Sequence, residues 1–392
     1  MFGGEDTFLN RFTHLPIYGL TKEQFDYMAD VCRMSKAWRN CAMAARKVRW
    51  GVLGAGGIAR RRTIPEGIAP AHNAELTIVM DADAGLAAEV GKAFGVPGTA
   101  ELEAVLAADV DVVYIATPND LHADLTVAAA GAGKHVFVEK PIALTMFDAD
   151  RMITACEAAG VKLMEGYMMR FHRHHEAARC MIAEGRLGEL VYGRCQLSCW
   201  YPPITGAWRQ EPDRSGGGAL MDMATHCYAL AEWLADDRIQ SVFARLTPKV
   251  HDYPSDDSSC TMLLMASGCT FTVDCCYNIP DASVRNRLEL YGSGGSLLAE
   301  GTIGQDAEGT MIYLSGEAAG YEAQQERDVS LRVPVEVVAR SPYLAEVEYF
   351  SECILDDAGV TVNNGAEGKH ILAVALAAYR SAESGRLESV EV

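Results

Sequence analysis

One candidate catalytic side chain stands at the end of an apolar, strand-like segment. The run HVFV (135–138) is followed by Glu139, Lys140 and Pro141, and a proline restricts the residue before it to extended backbone. An ammonium group held in this way can polarise a hydroxyl or carbonyl group and help to move its proton. Glu139 can pair with Lys140 or accept a hydrogen bond from a ribose hydroxyl. A surface ion pair at the end of a strand is the alternative interpretation.

A carboxylate and an imidazole occur together in a second segment, GGGALMDMATH (216–226). Asp222 and His226 are four residues apart, so on a helix their Cβ atoms lie about 6 Å from each other on one face. The carboxylate can raise the basicity of the imidazole, or both side chains can hold neighbouring hydroxyls of a polyol. A histidine that titrates near pH 7 is suited to removing a carbinol proton. A helical charge pair or a core histidine is the alternative.

Neither segment predicts a metal site. Asp222 and His226 supply only half of a zinc site, with no third ligand at a characteristic spacing. The segment RFHRHHE (170–176) is rich in histidine, but histidines so spaced at a helix start are more often exposed. We therefore expect no bound metal.

The segments that must position these residues alternate between strand-like and helix-like patterns from Val48 onward. Short apolar runs separated by helical segments are typical of a parallel sheet covered on both faces. Right-handed crossovers then give a doubly wound, Rossmann-type sheet, which binds ligands at the carboxyl ends of its strands. The strand-like segments are VRWGVLG, ELTIVMD, VDVVYIATP, HVFVEKP and VKLMEG.

The loop after the first of these strands has the composition of a dinucleotide-binding loop. Gly54, Gly56 and Gly57, followed by Ile58, allow a tight turn and a close approach of the backbone to a pyrophosphate. Ala59 takes the third glycine position of the GxGxxG pattern. Between a strand and a helix this loop predicts a nucleotide site, and an ordinary glycine turn is the alternative.

A carboxylate at the end of the second strand bears on the choice of cofactor. Asp81 follows Gly56 by 25 residues. A carboxylate there accepts hydrogen bonds from the adenosine ribose and repels a 2′-phosphate, so we expect NAD rather than NADP. Asp83 is a rival position, and either residue could cap the following helix. The arginines at positions 60–62 could meet a phosphate or form solvated surface.

Further candidates follow the next strands. Thr117 and Asn119 lie in the loop after VDVVYIATP, and His122 stands at the start of the next helix. Because the carboxyl ends of parallel strands meet at one edge of the sheet, these residues should reach the same cleft as Glu139 and Lys140.

The pattern changes after residue 166. Two helical segments and six alternating or apolar segments, joined by glycine-containing turns, predict a large and mostly antiparallel open sheet, and two late helices follow. We therefore expect an α/β protein with three parts: a partly helical extension over 1–47, a nucleotide-binding domain over 48–166, and an α+β substrate domain over 167–392.

The composition excludes several classes of partner. The chain has 392 residues and a net charge of −19, a field that repels nucleic acid and anionic lipid surfaces. No apolar stretch approaches the roughly 20 residues that span a bilayer. The 12 cysteines are scattered and follow no secretory signal pattern, which favours buried, reduced thiols and a cytoplasmic location.

The ordered motifs resemble one family. They are GVLGAGGIA, ATPNDLH, EKPIA, EGYMMRF and GGGALMDMATH. Together, over about residues 48–385, they resemble the glucose–fructose oxidoreductase / inositol dehydrogenase / rhizopine catabolism family of NAD(P)-dependent oxidoreductases. The resemblance implies a Rossmann domain, and an α/β domain whose open sheet usually joins subunits into dimers or tetramers. It also implies that Lys140 assists proton transfer at the substrate hydroxyl, while Asp222 and His226 orient the substrate and act as acid and base.

The resemblance extends to the cofactor and substrate pocket. It places Arg170, Trp208 and Arg209 near the cofactor or the substrate. The loop CWYPPITGAWRQ (199–210) carries aromatic rings that can stack on the C–H faces of a sugar, grip an aglycone, or pack into the core or an oligomer contact. Family members oxidise inositols, free sugars and glycosides, so we expect a pyranoside or a cyclic polyol.

Three functions remain compatible with these residues. The first is a dehydrogenase that passes a hydride from a secondary ring carbinol to NAD, with His226 as base aided by Lys140 and Asp222. The second is a glycoside-cleaving enzyme whose NAD is reduced and reoxidised within one turnover. The third is a sensor that only binds a sugar or dinucleotide, as a galactose-regulon repressor in the same superfamily does, and the presence of all three catalytic candidates argues against it.

Overall fold

The fold of this protein is described here from a computed structural model, which covers residues 46–246, 250–316 and 332–392. Residues Lys47 to Val392 belong to one structural unit. The helix predicted within residues 1–47 lies almost entirely outside the described ranges.

The first sheet is built from the apolar runs that the sequence pattern identifies. Its strands are β1 (Val48–Leu53), β2 (Ala74–Met80), β3 (Gly98–Thr99), β4 (Val112–Ile115), β5 (His135–Val138) and β6 (Leu163–Glu165). They are all parallel, in the order β3–β2–β1–β4–β5–β6. The strand order reverses between β1 and β4, which is where such sheets open a cleft for ligands.

Both faces of this sheet are buried, which explains why its strands are continuously apolar. Along β4, Val113 and Ile115 belong to one hydrophobic cluster, whereas Val112 and Tyr114 belong to another. Successive side chains of a strand point to opposite faces, so each cluster fills one side of the sheet.

Helices connect the parallel strands. They are α1 (Ala59–Ile68, a π-helix), α2 (Ala84–Phe94), α3 (Leu102–Ala107), α4 (His122–Gly131) and α5 (Met146–Ala159). The Asp83 side chain caps α2 by accepting from the backbone N–H groups of Gly85 and Leu86, and Gly95 ends it with a positive φ of 73°.

The second sheet has nine strands. They are β7 (Leu190–Ser198), β8 (Ile239–Leu246), β9 (Ser258–Met265), β10 (Thr270–Cys276), β11 (Arg287–Gly292), β12 (Gly295–Glu300), β13 (Thr310–Ser315), β14 (Arg332–Pro334) and β15 (Glu388–Ser389). Their order is β14–β13–β12–β11–β7–β10–β9–β8–β15, and only the β7–β10 pair is parallel. The predicted fold class, a Rossmann sheet followed by a mostly antiparallel open sheet, is confirmed.

The longer helices of the second half of the chain include two that pack on the second sheet. These longer helices are α6 (Arg173–Ala183), α7 (Thr225–Ala235, after a π-helical turn at Leu220–Ala224), α8 (Pro342–Leu355) and α9 (Gly365–Ser384). α7 contacts β7 and β10, while α9 contacts β8. The strands alternate accordingly, so that Phe271 and Val273 of β10 are fully buried and Asp274 between Val273 and Cys275 is only half-buried.

Helix α8 returns from the carboxyl-terminal part of the chain to the first sheet. The indole Nε1 of Trp50 in β1 donates to Ser351 Oγ at 3.2 Å. The Phe350 ring lies 6.0 Å from the Trp50 ring and 5.8 Å from the Phe137 ring in β5. The first sheet ends with β6 at Glu165 and the second begins with β7 at Leu190, and the first sheet takes part of its cover from α8.

Two general predictions concern sulfur and membranes. All ten cysteines within the described ranges are free thiols, and Cys180 and Cys260 among them are exposed, where we expected buried side chains throughout. None of the helices in the described parts of the chain is long and apolar enough to cross a membrane.

Candidate active site

The glycine loop after β1 is shaped by backbone contacts. Gly54 has a φ of +87°, and a Cβ there would lie 2.7 Å from the carbonyl oxygen of Ala116. The N–H groups of Gly54 and Ala55 both donate to the carbonyl of Met80, at 2.9 and 3.0 Å. Gly57 also has a positive φ, of +48°. These positions need glycine for a turn that leaves backbone accessible to a phosphate group.

Asp81 and Asp83 have separate tasks. Asp81 accepts from the backbone N–H of Gly56 through Oδ2 and from that of Asp83 through Oδ1, each at 3.1 Å. Asp83 caps α2, as described above. The helix cap therefore belongs to Asp83, and Asp81 holds its carboxylate directly against the glycine loop.

A cavity of about 630 Å³ opens between the carboxyl ends of the first sheet and the second half of the chain. Its walls come from both halves, which a site between a nucleotide domain and a substrate domain requires. The predicted site residues that line it are Ile58, Thr117, Asn119, Glu139, Lys140, Trp208, Arg209, Asp222 and His226.

Lys140 crosses this cavity to Asp222, 82 residues away in sequence. Its Nζ donates to Asp222 Oδ1 at 2.5 Å and to the backbone carbonyl of Asp222 at 2.6 Å. The Lys140 side chain is only 10% exposed, so the contact is largely shielded from water. Two of the three N–H bonds of the ammonium are thus used, and one is left for a ligand.

The carboxylate of Asp222 interacts with two cationic side chains, Lys140 and Arg209, and with a tyrosine of the cavity. Its Oδ2 accepts a short hydrogen bond from the hydroxyl of Tyr277, and the Nε of Arg209 lies 3.6 Å from its Oδ1. Burial opposes ionisation, but the cations of Lys140 and Arg209 outweigh it and hold the pKa of Asp222 well below its usual range. The group is a permanent carboxylate with a fixed orientation.

A turn of three glycines positions Asp222. The N–H groups of Gly218 and Leu220 donate to Asp256 Oδ1 and Oδ2, at 2.7 and 2.8 Å. A Cβ at Gly218 would lie 1.7 Å from the carbonyl oxygen of Asp256. The π-helical turn that carries Asp222 therefore begins at a point where no side chain fits.

His226 follows one turn later and is 8% exposed. Burial, together with the nearby Lys140 ammonium, lowers the pKa of His226 well below its usual value. Among the described residues, its Nδ1 has no hydrogen-bond partner. The Asp222 oxygens face Lys140 and Tyr277, so Asp222 lies near His226 but forms no hydrogen bond with it. His226 is a neutral imidazole in the cavity wall.

Glu139 does not pair with Lys140 in this structure. Its Oε1 accepts from the Tyr114 hydroxyl at 2.5 Å, and Thr63 Oγ1 lies 2.9 Å from that hydroxyl. Burial raises the pKa of Glu139, although Tyr114 and Lys140 oppose the shift. We considered Lys140 and a ribose hydroxyl as partners of Glu139. A hydrogen bond between Glu139 and the ribose hydroxyl remains a prediction.

Six predicted residues do not line this cavity, namely Gly54, Gly56, Gly57, Asp81, His122 and Arg170. His122 is fully buried, and its ring nitrogens lie 2.9 Å from the carbonyl oxygen of Pro141 and 3.2 Å from that of Thr117. It joins two strand-end loops and does not line the cavity. Asn119 does line it, but its amide donates to the backbone of Ser215 at 2.8 Å.

Arg170 forms contacts between elements of the second half of the chain. Its Nε and Nη2 donate to the carbonyl of Ala229 at 3.0 and 2.9 Å, and its Nη1 pairs with Glu367 at 2.6 Å. These contacts hold α7 and the start of α9 in place. Arg170 lines a different cavity, and its place near the cofactor or substrate remains a prediction.

Aromatic rings form one wall. The Arg209 guanidinium stacks on Trp208 at 4.3 Å, and the Tyr201 ring lies 4.9 Å from the Tyr277 ring. Trp200, which we also considered, is 42% exposed and packs on His251 at 4.8 Å. Sugar C–H faces stack on such rings.

Some lining residues were not predicted. Tyr277 follows β10, where no motif marks it. Gly304, Gln305 and Asp306 come from a loop after β12, and Asp306 pairs with Arg62 of α1 at 3.0 Å. A charge in an ordinary loop gives no sequence signal, because only the fold brings it to the cavity.

The histidine-rich segment has a structural role in the described chain. The His175 ring bonds to the carbonyl of Met169 at 2.7 Å and lies 3.1 Å from Thr302 Oγ1, and the His172 ring packs on it at 4.9 Å. Across the described residues, no group of three or more His, Cys, Asp or Glu side chains is arranged to hold a metal ion.

Two family models match this chain. The first, described as "Oxidoreductase family, NAD-binding Rossmann fold", matches residues 48–167. The second, described as "GFO/IDH/MocA C-terminal domain", matches residues 175–298.

Characterised relatives extend over most of the chain. It is 31% identical to a 1,5-anhydro-D-fructose reductase of Ensifer adhaerens over 88% of this chain and 98% of the relative. It is also 31% identical to an inositol 2-dehydrogenase of Rhizobium meliloti over 88% of this chain and 99% of the relative. The crystal structure of the Caulobacter crescentus aldose-aldose oxidoreductase, complexed with glycerol, has a TM-score of 0.78 at 28% identity and covers 88% of this chain and 100% of its own.

These matches agree with the geometry of the cavity, which Ile58 after the glycine loop, Lys140 and His226 line together. They confirm the prediction of an oxidoreductase with NAD as its cofactor. The chain belongs to the glucose–fructose oxidoreductase / inositol dehydrogenase / rhizopine catabolism family of oxidoreductases, and its first domain is the NAD-binding Rossmann domain of that family.

Proposed function

We propose that this protein oxidises a secondary ring hydroxyl of a sugar, glycoside or cyclic polyol and passes the hydride to NAD. One observation carries the proposal: Lys140 from the first sheet and Asp222 and His226 from the second half of the chain line the same cavity. The curated relatives, which are named for anhydrofructose, inositol and levoglucosan, support this class of substrate.

The cofactor fits the residues of the first domain. Gly54, Gly56 and Gly57 leave the backbone open to a pyrophosphate, and Asp81 places a carboxylate beside them. NAD, when bound, supplies a hydride acceptor for the carbinol carbon. A carboxylate at this position disfavours a 2′-phosphate, and we infer a preference for NAD over NADP from it.

Proton transfer falls to side chains of the cavity. His226 is neutral because its pKa is low, so it is free to accept the hydroxyl proton of the substrate. Lys140 keeps one N–H bond for the same oxygen, where it stabilises the negative charge that develops as the proton leaves. Asp222 balances that ammonium and fixes its position.

The walls of the cavity favour a polyhydroxylated ligand. Hydrogen-bonding groups of Lys140, Asp222 and Arg209 line the cavity together with the aromatic rings of Tyr201 and Trp208. Rings that cover the C–H face of a sugar, with polar groups at its edge, are a common arrangement for carbohydrates.

A substrate screen tests the proposal. Purified protein would be mixed with NAD⁺ or NADP⁺ and a panel of pyranosides, free sugars and inositols, and NADH formation followed by its absorbance. We expect turnover with NAD⁺ and a loss of at least about 100-fold in kcat for Lys140→Ala or His226→Ala. Lys92→Ala, an exposed lysine of α2, is the matched control and should retain full activity.

Other outcomes of the same screen would replace the proposal. Cleavage of a chromogenic glycoside without net NADH would indicate the redox-neutral glycosidase. Tight binding of NAD and sugar with no turnover on any substrate would indicate a sensor. A kcat/KM that is higher with NADP⁺ would contradict the role that we assign to Asp81.

We also propose that subunits associate through the outer face of the nine-stranded sheet. Side chains on that face include the partly exposed Met262 of β9 and Ile312 of β13, which are 39% and 36% exposed. A wide sheet with apolar side chains on its open face is suited to packing against a second copy. Light scattering should show a dimer or larger, and Met262→Lys should weaken it, whereas a monomer at micromolar concentration would contradict this assembly.

A further inference from the structure

We propose that Tyr277 is a positioning residue of the active site, which fixes the carboxylate of Asp222 so that Asp222 in turn holds the ammonium group of Lys140 in the cavity. The kinetic part of this inference rests on the proposed dehydrogenase function. Its structural part does not, and the experiments below separate the two.

The two oxygens of Asp222 face different groups. Oδ2 accepts from the Tyr277 hydroxyl. Oδ1 accepts from Lys140 at 2.5 Å and lies 3.6 Å from Arg209 Nε. The terminal torsion of an aspartate is soft, with a broad energy well. A hydrogen bond to one oxygen therefore determines where the other one points, and Tyr277 sets the direction in which Oδ1 meets Lys140.

Tyr277 itself is held rigidly by backbone contacts. Its N–H donates to the carbonyl of Asp257 at 2.7 Å, and its carbonyl accepts from the N–H of Tyr201 at 2.8 Å. The His251 ring nitrogen Nε2 lies 3.1 Å from the same carbonyl. The side chain is 2% exposed and packs against the Tyr201 ring, tilted by 43°. These contacts fix the position of the Tyr277 phenol, so its hydroxyl is a hydrogen-bond donor at a fixed place beside Asp222.

The protonation states support a one-way hydrogen bond. Burial and the neighbouring Asp222 raise the pKa of Tyr277 well above its usual value, so its hydroxyl keeps its proton. Asp222 is a carboxylate and can only accept. Hydrogen bonds to an ionised group in a buried site are roughly twice as strong as neutral ones. Without this bond, Oδ2 loses its hydrogen-bond partner in the protein, and the carboxylate is free to rotate away from Lys140.

Kinetic measurements on Tyr277→Phe test the proposal. Lys140 would keep its bond to the Asp222 backbone carbonyl, so we expect a partial loss: kcat lower by about ten-fold, from one charged hydrogen bond. KM for the sugar and the Kd of NAD⁺ should change by less than about two-fold, because the tyrosine acts through Asp222.

Tyr228→Phe is the matched control. Tyr228 is also fully buried, lies two residues after His226 on α7, and donates to Thr261 Oγ1 at 3.2 Å away from the cavity lining. Its variant should keep kcat. An unchanged kcat in Tyr277→Phe, or an equal loss in both variants, would overturn the proposal. A loss seen only as a raised KM would make Tyr277 a substrate ligand instead, which also overturns it.

Chemical labelling gives a readout that needs no activity. The rate of acetylation of Lys140 by acetic anhydride would be measured by peptide mass spectrometry, with exposed Lys92 as the internal reference. We expect Tyr277→Phe to raise the relative rate at Lys140 several-fold, as the ammonium loses a fixed partner, and Tyr228→Phe to leave it unchanged. An unchanged rate would overturn the positioning role. If the wild-type protein turned over no sugar but showed this labelling pattern, the dehydrogenase function would fail while the positioning role stood.

Discussion

Burial keeps the imidazole of His226 in its neutral form. A histidine on an exposed helix is about half protonated near pH 6.5 and accepts a proton poorly below that pH. Here burial and Lys140 keep the ring neutral to lower pH. Burial of the imidazole costs free energy, but it keeps His226 in the neutral form that can accept a proton.

This environment predicts the shape of the pH profile. The neutral form of His226 should persist below pH 6.5, so kcat for oxidation should not fall as the pH is lowered from 7.5 to about 6. Measurements of kcat between about pH 5.5 and 9 would check this. An acidic limb centred at or above about pH 6.5 that is absent in the residual activity of His226→Asn would contradict it.

The sequence predicted residues that meet in one cavity, but it did not predict their hydrogen-bond partners. The types and spacing of Lys140, Asp222 and His226 indicated proton transfer at an alcohol. That Lys140 pairs with Asp222 and not with the adjacent Glu139 depends on a contact across 82 residues. Tyr277 carries no motif, so only the fold identifies it as the second partner of Asp222.

At the scale of single elements, the glycine loop after β1 needs its glycines for two different reasons: the conformation of the turn and space for a ligand. Gly54 has a φ that other residues rarely adopt, and a Cβ there would strike backbone at 2.7 Å. At Gly56 φ is ordinary, and a Cβ would meet the flexible end of Leu86 at 3.2 Å and Asp81 Oδ2 at 3.6 Å. The first glycine is needed for the turn itself, whereas the second leaves room for a ligand.

Alanine substitutions should therefore have different effects at the two positions. Gly54→Ala should lower the free energy of unfolding by about 1–3 kcal/mol, because it strains the backbone. Gly56→Ala should change stability little but weaken NAD⁺ binding by about ten-fold or more, since its methyl group occupies the phosphate approach. Thermal melts of the apoprotein and titration calorimetry with NAD⁺ would measure both. Equal NAD⁺ affinity in Gly56→Ala and wild type would contradict this division.

Long periodic elements were predicted well, and short ones were missed. The five main strands of the first sheet and the late helices α8 and α9 follow clear patterns. β3 has two residues and β15 also two, which is too short for any periodicity. β13 (Thr310–Ser315) has an apolar core, MIYL, but it follows an irregular loop, and its strand character depends on pairing with β12.

At the scale of the whole molecule, buried histidines link stability to pH. His122 and His175 are fully buried, and burial lowers the pKa of His122 to about 4 and that of His175 to about 3. The unfolded chain protonates both near pH 6.5, before the folded protein does. Acid therefore favours the unfolded state from pH 6.5 downward until the folded pKa values are reached.

We expect the melting temperature to fall steadily between about pH 6.5 and 4.5, as each such histidine removes about 1.4 kcal/mol of stability per pH unit. His175→Gln should have a lower melting temperature at pH 7.5 but a shallower decline in acid. Thermal melts in matched buffers would show this. A decline as steep in the variant as in the wild type would mean that His175 titrates normally in the folded state.

The arrangement of the two sheets was predicted, but the path of the chain between them was not. Composition and periodicity indicate a parallel sheet followed by an antiparallel one. They do not show that α8, which follows the second sheet, packs on the first, because an amphipathic helix does not reveal which apolar surface it covers.

The packing of α8 on the first sheet limits how the nucleotide-binding half can be exchanged for that of another protein. A hybrid that takes residues 48–166 from another dehydrogenase would bring foreign side chains beneath α8, where Trp50 and Phe137 now meet Phe350 and Ser351. Exchange of the nucleotide half alone would leave mismatched aromatic rings where α8 contacts the first sheet. Engineering a different cofactor preference should therefore either graft only the turn around Asp81, or transplant residues 342–355 together with the donor half.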